Sequence, residues 1–500
     1  MFKTLPIFSH IKKYPVLTFS IGLLLLFAVI VFANTIGFYN SIEQASLWVR
    51  KWFGSFYLYL GLFCVLFILV LALSPFGKKK LGKPEDIPEF SRWAWIAMLY
   101  SAGMGAGILL RAVQEPVFMQ QNPPIQTGNS SEIIALEYTF YQWGFTAWAF
   151  YGLFALIIGY YLFSKDRPAL ISSSIQSITK HKGTRHSIDI LATVTTVFGL
   201  VGAVGLGTTQ INGGLNHLTQ GGFGLWTTIG ITICIAILSF VSVWKGMHKG
   251  IKRISTLNIW ITLGILLFIF IQSDMTAVVS AFAKALTHYI LDFIPLSLAI
   301  GDYNPGEAFL TDWTYYYWAF WLAWAPFTGI FIARISRGRT IRELLLGVLI
   351  IPALGTFFWF SVFGDSAFTL IDSWGNYNGQ FGDVFSSIFV FFENYPFASI
   401  LNIVTIVLLV SFLVTSVDSA VFVLSMFTDK GNPTPKRRHR LIWSICIAVF
   451  AIAMILLGNA RPEINVLVAL QKLLIITSLP FALFMVIMVG VFIRDILKKK

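Results

Sequence analysis

The chain has 500 residues, 56% of them apolar and 12% charged, with a formal net charge of +13. So little polar surface excludes a soluble domain and makes the chain an all-α polytopic membrane protein. The basic excess is not gathered into a nucleic-acid patch, because 30 of the 36 Lys and Arg lie before residue 16, in 76–92, 164–185, 245–253, 334–342 and 430–440, and from 494 onward.

Apolar stretches of about 20 residues, enough to cross a bilayer, fall near 16–36, 53–75, 93–111, 136–163, 186–208, 224–244, 256–273, 312–333, 343–365, 398–427, 441–458 and 470–493. In this twelve-span arrangement every basic segment lies on one side, and the opposite segments 112–135, 209–223 and 366–397 contain no Lys or Arg. Both termini are therefore expected in the cytoplasm. The first stretch is too long for a signal peptide and reads as a retained span. No nucleotide-binding loop interrupts the spans, which disfavours an ATP-driven pump. Cys64, Cys234 and Cys446 sit inside apolar spans without metal-ligand spacing.

The third span contains SAGMGAGILL, with Gly103, Gly105 and Gly107 at alternate positions. Such a stretch either unwinds to line a cavity or packs closely against another helix through its small residues. Arg111 follows, with Glu115 one helical turn on. The two read either as an intramembrane ion pair or as a fixed cation facing a cavity. Residues 274–300 mix apolar side chains with Asp274, Lys284, His288 and Asp292 and read as an amphipathic helix along the outer surface.

The eighth span carries WAFWLAWAPFTGIF at 318–331. Ring faces attract a cation that has no N–H to donate, such as a quaternary ammonium, each contact being worth roughly 0.5–2 kcal/mol. Lipid-facing or interfacial aromatics are the other reading. Pro326 and Gly329 are expected to interrupt this span. Two broken helices five spans apart are the pattern of an inverted-repeat transporter with a midplane site, spans three to seven and eight to twelve being the repeats. The four arginines of ARISRGRTIRE are expected at lipid headgroups. Asp418, in TSVDSA, is either a proton site or a satisfied structural hydrogen-bond partner.

The strings LGKPEDIPEFSRWAW, SAGMGAGILL followed by Glu115-Pro116, YYYWAFWLAWAPFTGIFIARISRGRTIRE, FGDSA and TSVDSA occur in the order and spacing of betaine/carnitine/choline transporters, and the chain resembles that family from about residue 16 to 494. The resemblance implies a LeuT-like fold of two inverted five-helix repeats preceded by two extra helices. Residues 1–92 would hold the tail and extra helices, 93–300 the first repeat, and 301–500 the second repeat and a short tail. It further implies a homotrimer among the lipids of a bacterial cytoplasmic membrane, importing small quaternary ammonium compounds, with no enzymatic chemistry and no cofactor.

The aromatic cage implied by the resemblance consists of Trp143, Trp148 and Tyr151 from the fourth span and Trp321, Trp324 and Phe331 from the eighth. Phe320 stands where the family usually has Trp. Glycine at 107, where choline carriers tend to have aspartate, favours a zwitterion such as glycine betaine or carnitine, its carboxylate meeting N–H groups of Gly103, Gly105 and Gly107 or a nearby ion. Sodium, the implied coupling ion, would be held by the carbonyls of Ser101, Met104 and Phe412 and the hydroxyls of Thr415 and Ser416. A second family sodium site would use Thr196, but Leu200 stands where its partner hydroxyl would be, so one sodium is expected. Arg111 replaces an aromatic residue and could partner the substrate carboxylate or stand in for the second sodium. The resemblance also makes ARISRGRTIRE a short helix. Sodium-coupled import is the expected activity. The alternatives are sodium-independent exchange or proton-coupled uptake of carnitine or choline, or, from another class, a channel, which would want a continuous polar pore.

Overall fold

The computed structural model of the protein describes residues 13–103, 105–245, 248–461 and 463–498. Its helices are α1 (Pro15–Ala33), α2 (Thr35–Leu73), α3 (Arg92–Gly103), α4 (Ala106–Arg111), α5 (Gln114–Gln121), α6 (Ser131–Trp143), α7 (Phe145–Gly159), α8 (Lys182–Thr219), α9 (Leu225–Lys245) and α10 (His248–Gln272). They continue as α11 (Met275–Leu291), α12 (Phe293–Leu298), α13 (Glu307–Phe309), α14 (Tyr316–Ile335), α15 (Ile341–Trp374), α16 (Ser387–Phe392), α17 (Ala398–Thr428), α18 (Arg437–Leu457) and α19 (Val466–Leu497). Among the described residues, eleven helical segments are long and apolar enough to cross a bilayer. The remaining expected span, 93–111, is divided between α3 and α4.

Three departures from the sequence reading have local causes. Helix α2 starts at Thr35, well before the apolar run at 53, and is 39 residues long. Asn34 caps it by accepting the Gly37 N–H at 2.9 Å, and Ile42, Ser46 and Val49 are buried along one face. An i, i+4, i+7 stripe is enough to hold a polar segment in helix.

The second departure is a break at Gly144 (φ −98°, ψ −129°), which separates α6 from α7. A Cβ there would lie 2.4 Å from the Phe140 carbonyl oxygen and 2.5 Å from the Phe357 ring, so only glycine fits.

The third corrects the expected interruption at Pro326 and Gly329. Helix α14 runs through both residues, and the irregularity lies earlier, in the π-helical turn Leu310–Tyr315. Gly329 serves packing: a Cβ there would sit 2.6 Å from the Phe154 Cβ on α7. Helices α7 and α14 share the most extensive interhelix contact in the protein, and that contact holds the proline-containing helix together despite the missing N–H.

The amphipathic segment is helical as expected: α11 buries Val278, Ala281, Ala285 and Tyr289 against α6 and α15.

The arginines after α14 require a further correction. Residues 336–340 form a turn, not a short helix, with Gly338 at φ +80°, and three of the four arginines pair with protein groups. Arg339 is 2% exposed, donates to Glu343 at 2.5 Å and to the Phe90 carbonyl at 2.8 Å, and stacks 4.3 Å from the Trp95 ring. Arg337 grips Asp86 at 3.1 and 3.2 Å. Arg342 donates to the Ala72 carbonyl at 2.7 Å. The turn is also paired through its backbone, Leu81 N to Arg339 O and Gly338 N to Leu81 O, both at 2.8 Å. Three of these guanidiniums thus hold carbonyls and carboxylates of the protein, while Arg334 is exposed beside the Phe422 ring.

Candidate functional site

The break in the third span is the first element of the site. Helix α3 ends at Gly103 and α4 begins at Ala106, with Gly105 fully extended between them (φ −164°, ψ −176°). Met104 and the side chain of Ser101 lie outside the described residues. Nothing lies within 4 Å of where a Gly105 Cβ would be, whereas a Gly107 Cβ would meet the Trp143 ring at 3.5 Å. Gly105 therefore sits in open, extended backbone, and Gly107 lies within ordinary contact of an aromatic ring.

Trp143 begins a connected run of rings. It lies 5.1 Å from Trp321, edge to face. Trp321 in turn lies 6.2 Å from Tyr151 and 5.1 Å from Phe320. Tyr151 meets Trp148 at 5.4 Å, and Phe320 meets Trp324 at 6.2 Å. Six of the aromatics named from sequence thus form one network spanning α6, α7 and α14. Phe331, two turns further along α14, is 37% exposed and stands apart from it.

The Gly144 break helps to build this wall. Ending α6 at Trp143 leaves its last carbonyls without helical partners, and the Gln142 carbonyl accepts the Trp321 indole N–H at 2.9 Å. The Phe145 N–H past the break is taken by the Tyr289 hydroxyl at 2.9 Å, tying α11 to the same point.

Two residues of the wall were not named from the sequence. Phe360 packs 5.2 Å from Trp143. Tyr317 lies 5.6 Å from Trp143 and 5.8 Å from Trp321; its position four residues before Trp321, on one helix face, is the clue that was available.

Glu115 is the hub beneath them. Fully buried, it accepts the Trp143 indole N–H at 3.1 Å and a hydrogen bond from the Tyr317 hydroxyl. Arg111, 4% exposed, places Nε 3.7 Å from the same carboxylate and donates through Nη1 to Gln114 at 2.6 Å. Its guanidinium lies 4.8 Å from the Trp313 ring centre. The ion-pair reading of Arg111 and Glu115 is the arrangement found.

The residues named for sodium divide in the same way. Phe412, Thr415 and Ser416 are on α17, which packs against α4. The Thr415 hydroxyl lies 2.9 Å from the Ser411 carbonyl and 3.1 Å from the Phe412 carbonyl. One turn thus presents several oxygens, the donors a hard cation takes. Thr196 bonds back to the Ala192 carbonyl at 2.8 Å, the common fate of a threonine in a helix, and Leu200 is buried one turn on. Asp418, 8% exposed, accepts the Ser242 hydroxyl at 3.3 Å, which fits the structural reading.

A bundle of membrane-length helices with one span unwound beside a buried aromatic wall defines a polytopic membrane protein. The family comparison narrows this class. Residues 15–500 match the model of the betaine/carnitine/choline family transporters. The chain is 36% identical to the glycine betaine transporter OpuD of Bacillus subtilis, over 92% of this chain and 90% of that one. It is 35% identical to the ectoine/hydroxyectoine transporter of Virgibacillus pantothenticus, over 89% of each, and 36% identical to the betaine/ectoine transporter LcoP of Corynebacterium glutamicum, over 89% of this chain and 71% of that one. The chain belongs to the betaine/carnitine/choline transporter family.

Proposed function

We propose that the protein imports a small zwitterionic quaternary ammonium compound, glycine betaine or a near relation such as carnitine, driven by sodium. The membrane is the bacterial cytoplasmic membrane, with both termini inside and the chain a homotrimer. The observation that carries this reading is the continuous ring network from Trp148 through Tyr151, Trp321 and Trp143 to Phe320 and Trp324. It meets α4 just past the unwound stretch, where a Gly107 Cβ would lie 3.5 Å from the Trp143 ring. Rings offer the ammonium a charge-complementary surface without demanding a hydrogen bond from it.

In this scheme sodium sits between the carbonyls of Ser101 and Met104 and the oxygens of Phe412, Thr415 and Ser416, holding the α3–α4 break against α17. The ammonium enters the cage while the carboxylate faces the backbone of Gly103, Gly105 and Gly107. One repeat, 93–300, then rocks against the other, 301–500, turning the site inward. The names of two relatives favour a second reading, a cyclic zwitterion of the ectoine class.

Uptake of labelled glycine betaine, carnitine, choline and ectoine into proteoliposomes, with sodium and proton gradients imposed separately, tests the proposal. Sodium-stimulated glycine betaine uptake is expected, and Trp321→Ala should weaken its apparent affinity about tenfold. Absence of sodium stimulation for all four compounds overturns the coupling, and uptake of none of them overturns the substrate class.

A further inference from the structure

The Glu115 carboxylate is one hydrogen bond from a cage ring, through Trp143, and a second cage-side ring, Tyr317, also donates to it. A carboxylate in that position would act as an anion at the cage wall. It does not stand alone, because Arg111 neutralises it at 3.7 Å. The guanidinium is held on the protein side by Gln114 and the Trp313 face. The two charges are both buried, where water screens them little.

We infer that Arg111 is a specificity-determining residue that acts through Glu115: by cancelling the one charge that, among the described residues, is hydrogen-bonded to a cage ring, it makes the site accept zwitterions and disfavour free cations. The inference rests on the proposed function and deepens it. In glycine betaine the carboxylate partly offsets what the ammonium feels from a charge beside the cage. Choline, with one uncompensated positive charge, has no such offset.

The idea predicts a charge ledger. The wild type presents no net charge, R111M one negative charge, E115Q one positive charge, and R111M/E115Q none. The probe is the ratio of choline to glycine betaine affinity, measured by competition on the purified, full-length transporter in nanodiscs. R111M should shift the ratio toward choline on the order of tenfold, E115Q should shift it the other way, and the double variant should return it to the wild-type value. R111K, which keeps the charge, should leave it unchanged. Should R111M fail to fold, E115Q and R111K still test the sign.

A ratio that does not move in R111M or E115Q overturns the inference. So does a loss of glycine betaine binding in both R111M and the double variant, since Arg111 would then be touching the substrate carboxylate itself. Wild-type protein that binds neither ligand would instead overturn the proposed function, so the two failures are distinguishable.

Discussion

The protein contains the same three-part device twice. At the site, Arg111 pairs with Glu115 one turn on and stacks 4.8 Å from Trp313. At the collar after α14, Arg339 pairs with Glu343 one turn on and stacks 4.3 Å from Trp95. Both arginines are buried, and the difference lies in the acid. Glu115 is sealed and shared with Trp143 and Tyr317, whereas Glu343 is 28% exposed and Arg339 also holds the carbonyls of Phe90 and Ser91. Sequence spacing makes an ion pair in either place. What surrounds the carboxylate decides whether the pair sets the electrostatics of a binding site or fastens a loop.

Removing the acids should separate the two units most. Glu115→Ala leaves Arg111 buried without its anion and should cost about 3–5 kcal/mol, read as loss of thermal stability in detergent. An equal loss in Glu343→Ala would break the comparison. The stacking contributions should instead be alike, with double-variant cycles of R111M with W313L and of R339M with W95L each giving a coupling of roughly 1–2 kcal/mol. Glu343→Ala alone should cost at most about 1 kcal/mol, as for a partly exposed pair, and leave the choline to glycine betaine ratio untouched.

The smallest effect belongs to Asp86, whose carboxyl is held below the usual carboxylate range by the Arg337 guanidinium, with help from the Lys83 N–H. A depressed value in the folded protein means that this contribution is present above the unfolded value of about 4 and is lost as pH falls through the folded one. Wild-type protein should therefore lose stability relative to Asp86→Asn only below about pH 4. A wild-type advantage over Asp86→Asn that grows as pH falls through this range would contradict the pairing.

Much of this architecture was readable in the chain. Long apolar runs at the right spacing fixed a helical membrane protein, and the glycines at 103, 105 and 107 marked the break that separates α3 from α4. Trp321 and Trp324 share a helix face by spacing alone. Pro326 and Gly329 misled because the penalty for a helix breaker depends on its neighbour. Against Phe154 of α7 a glycine is a contact surface, and the helix survives. The partners of Arg337, Arg339 and Arg342 were hidden for a similar reason, since Asp86, Phe90 and Ala72 come from segments some 250 or more residues away.

The sequence alone therefore determined membrane residence, the helical class, the unwound span and the family of aromatic residues from which a cage could be made, because hydrophobic length, glycine content and ring spacing are local properties. Only the tertiary structure decided that Tyr317 and Phe360 join the wall, that Gly144 breaks a helix to free the carbonyl that orients Trp321, and that Glu115 gathers Arg111, Trp143 and Tyr317. Hydrogen bonds and ring contacts depend on which helices meet. That meeting is set by packing across the whole bundle and leaves no periodic trace in any one segment.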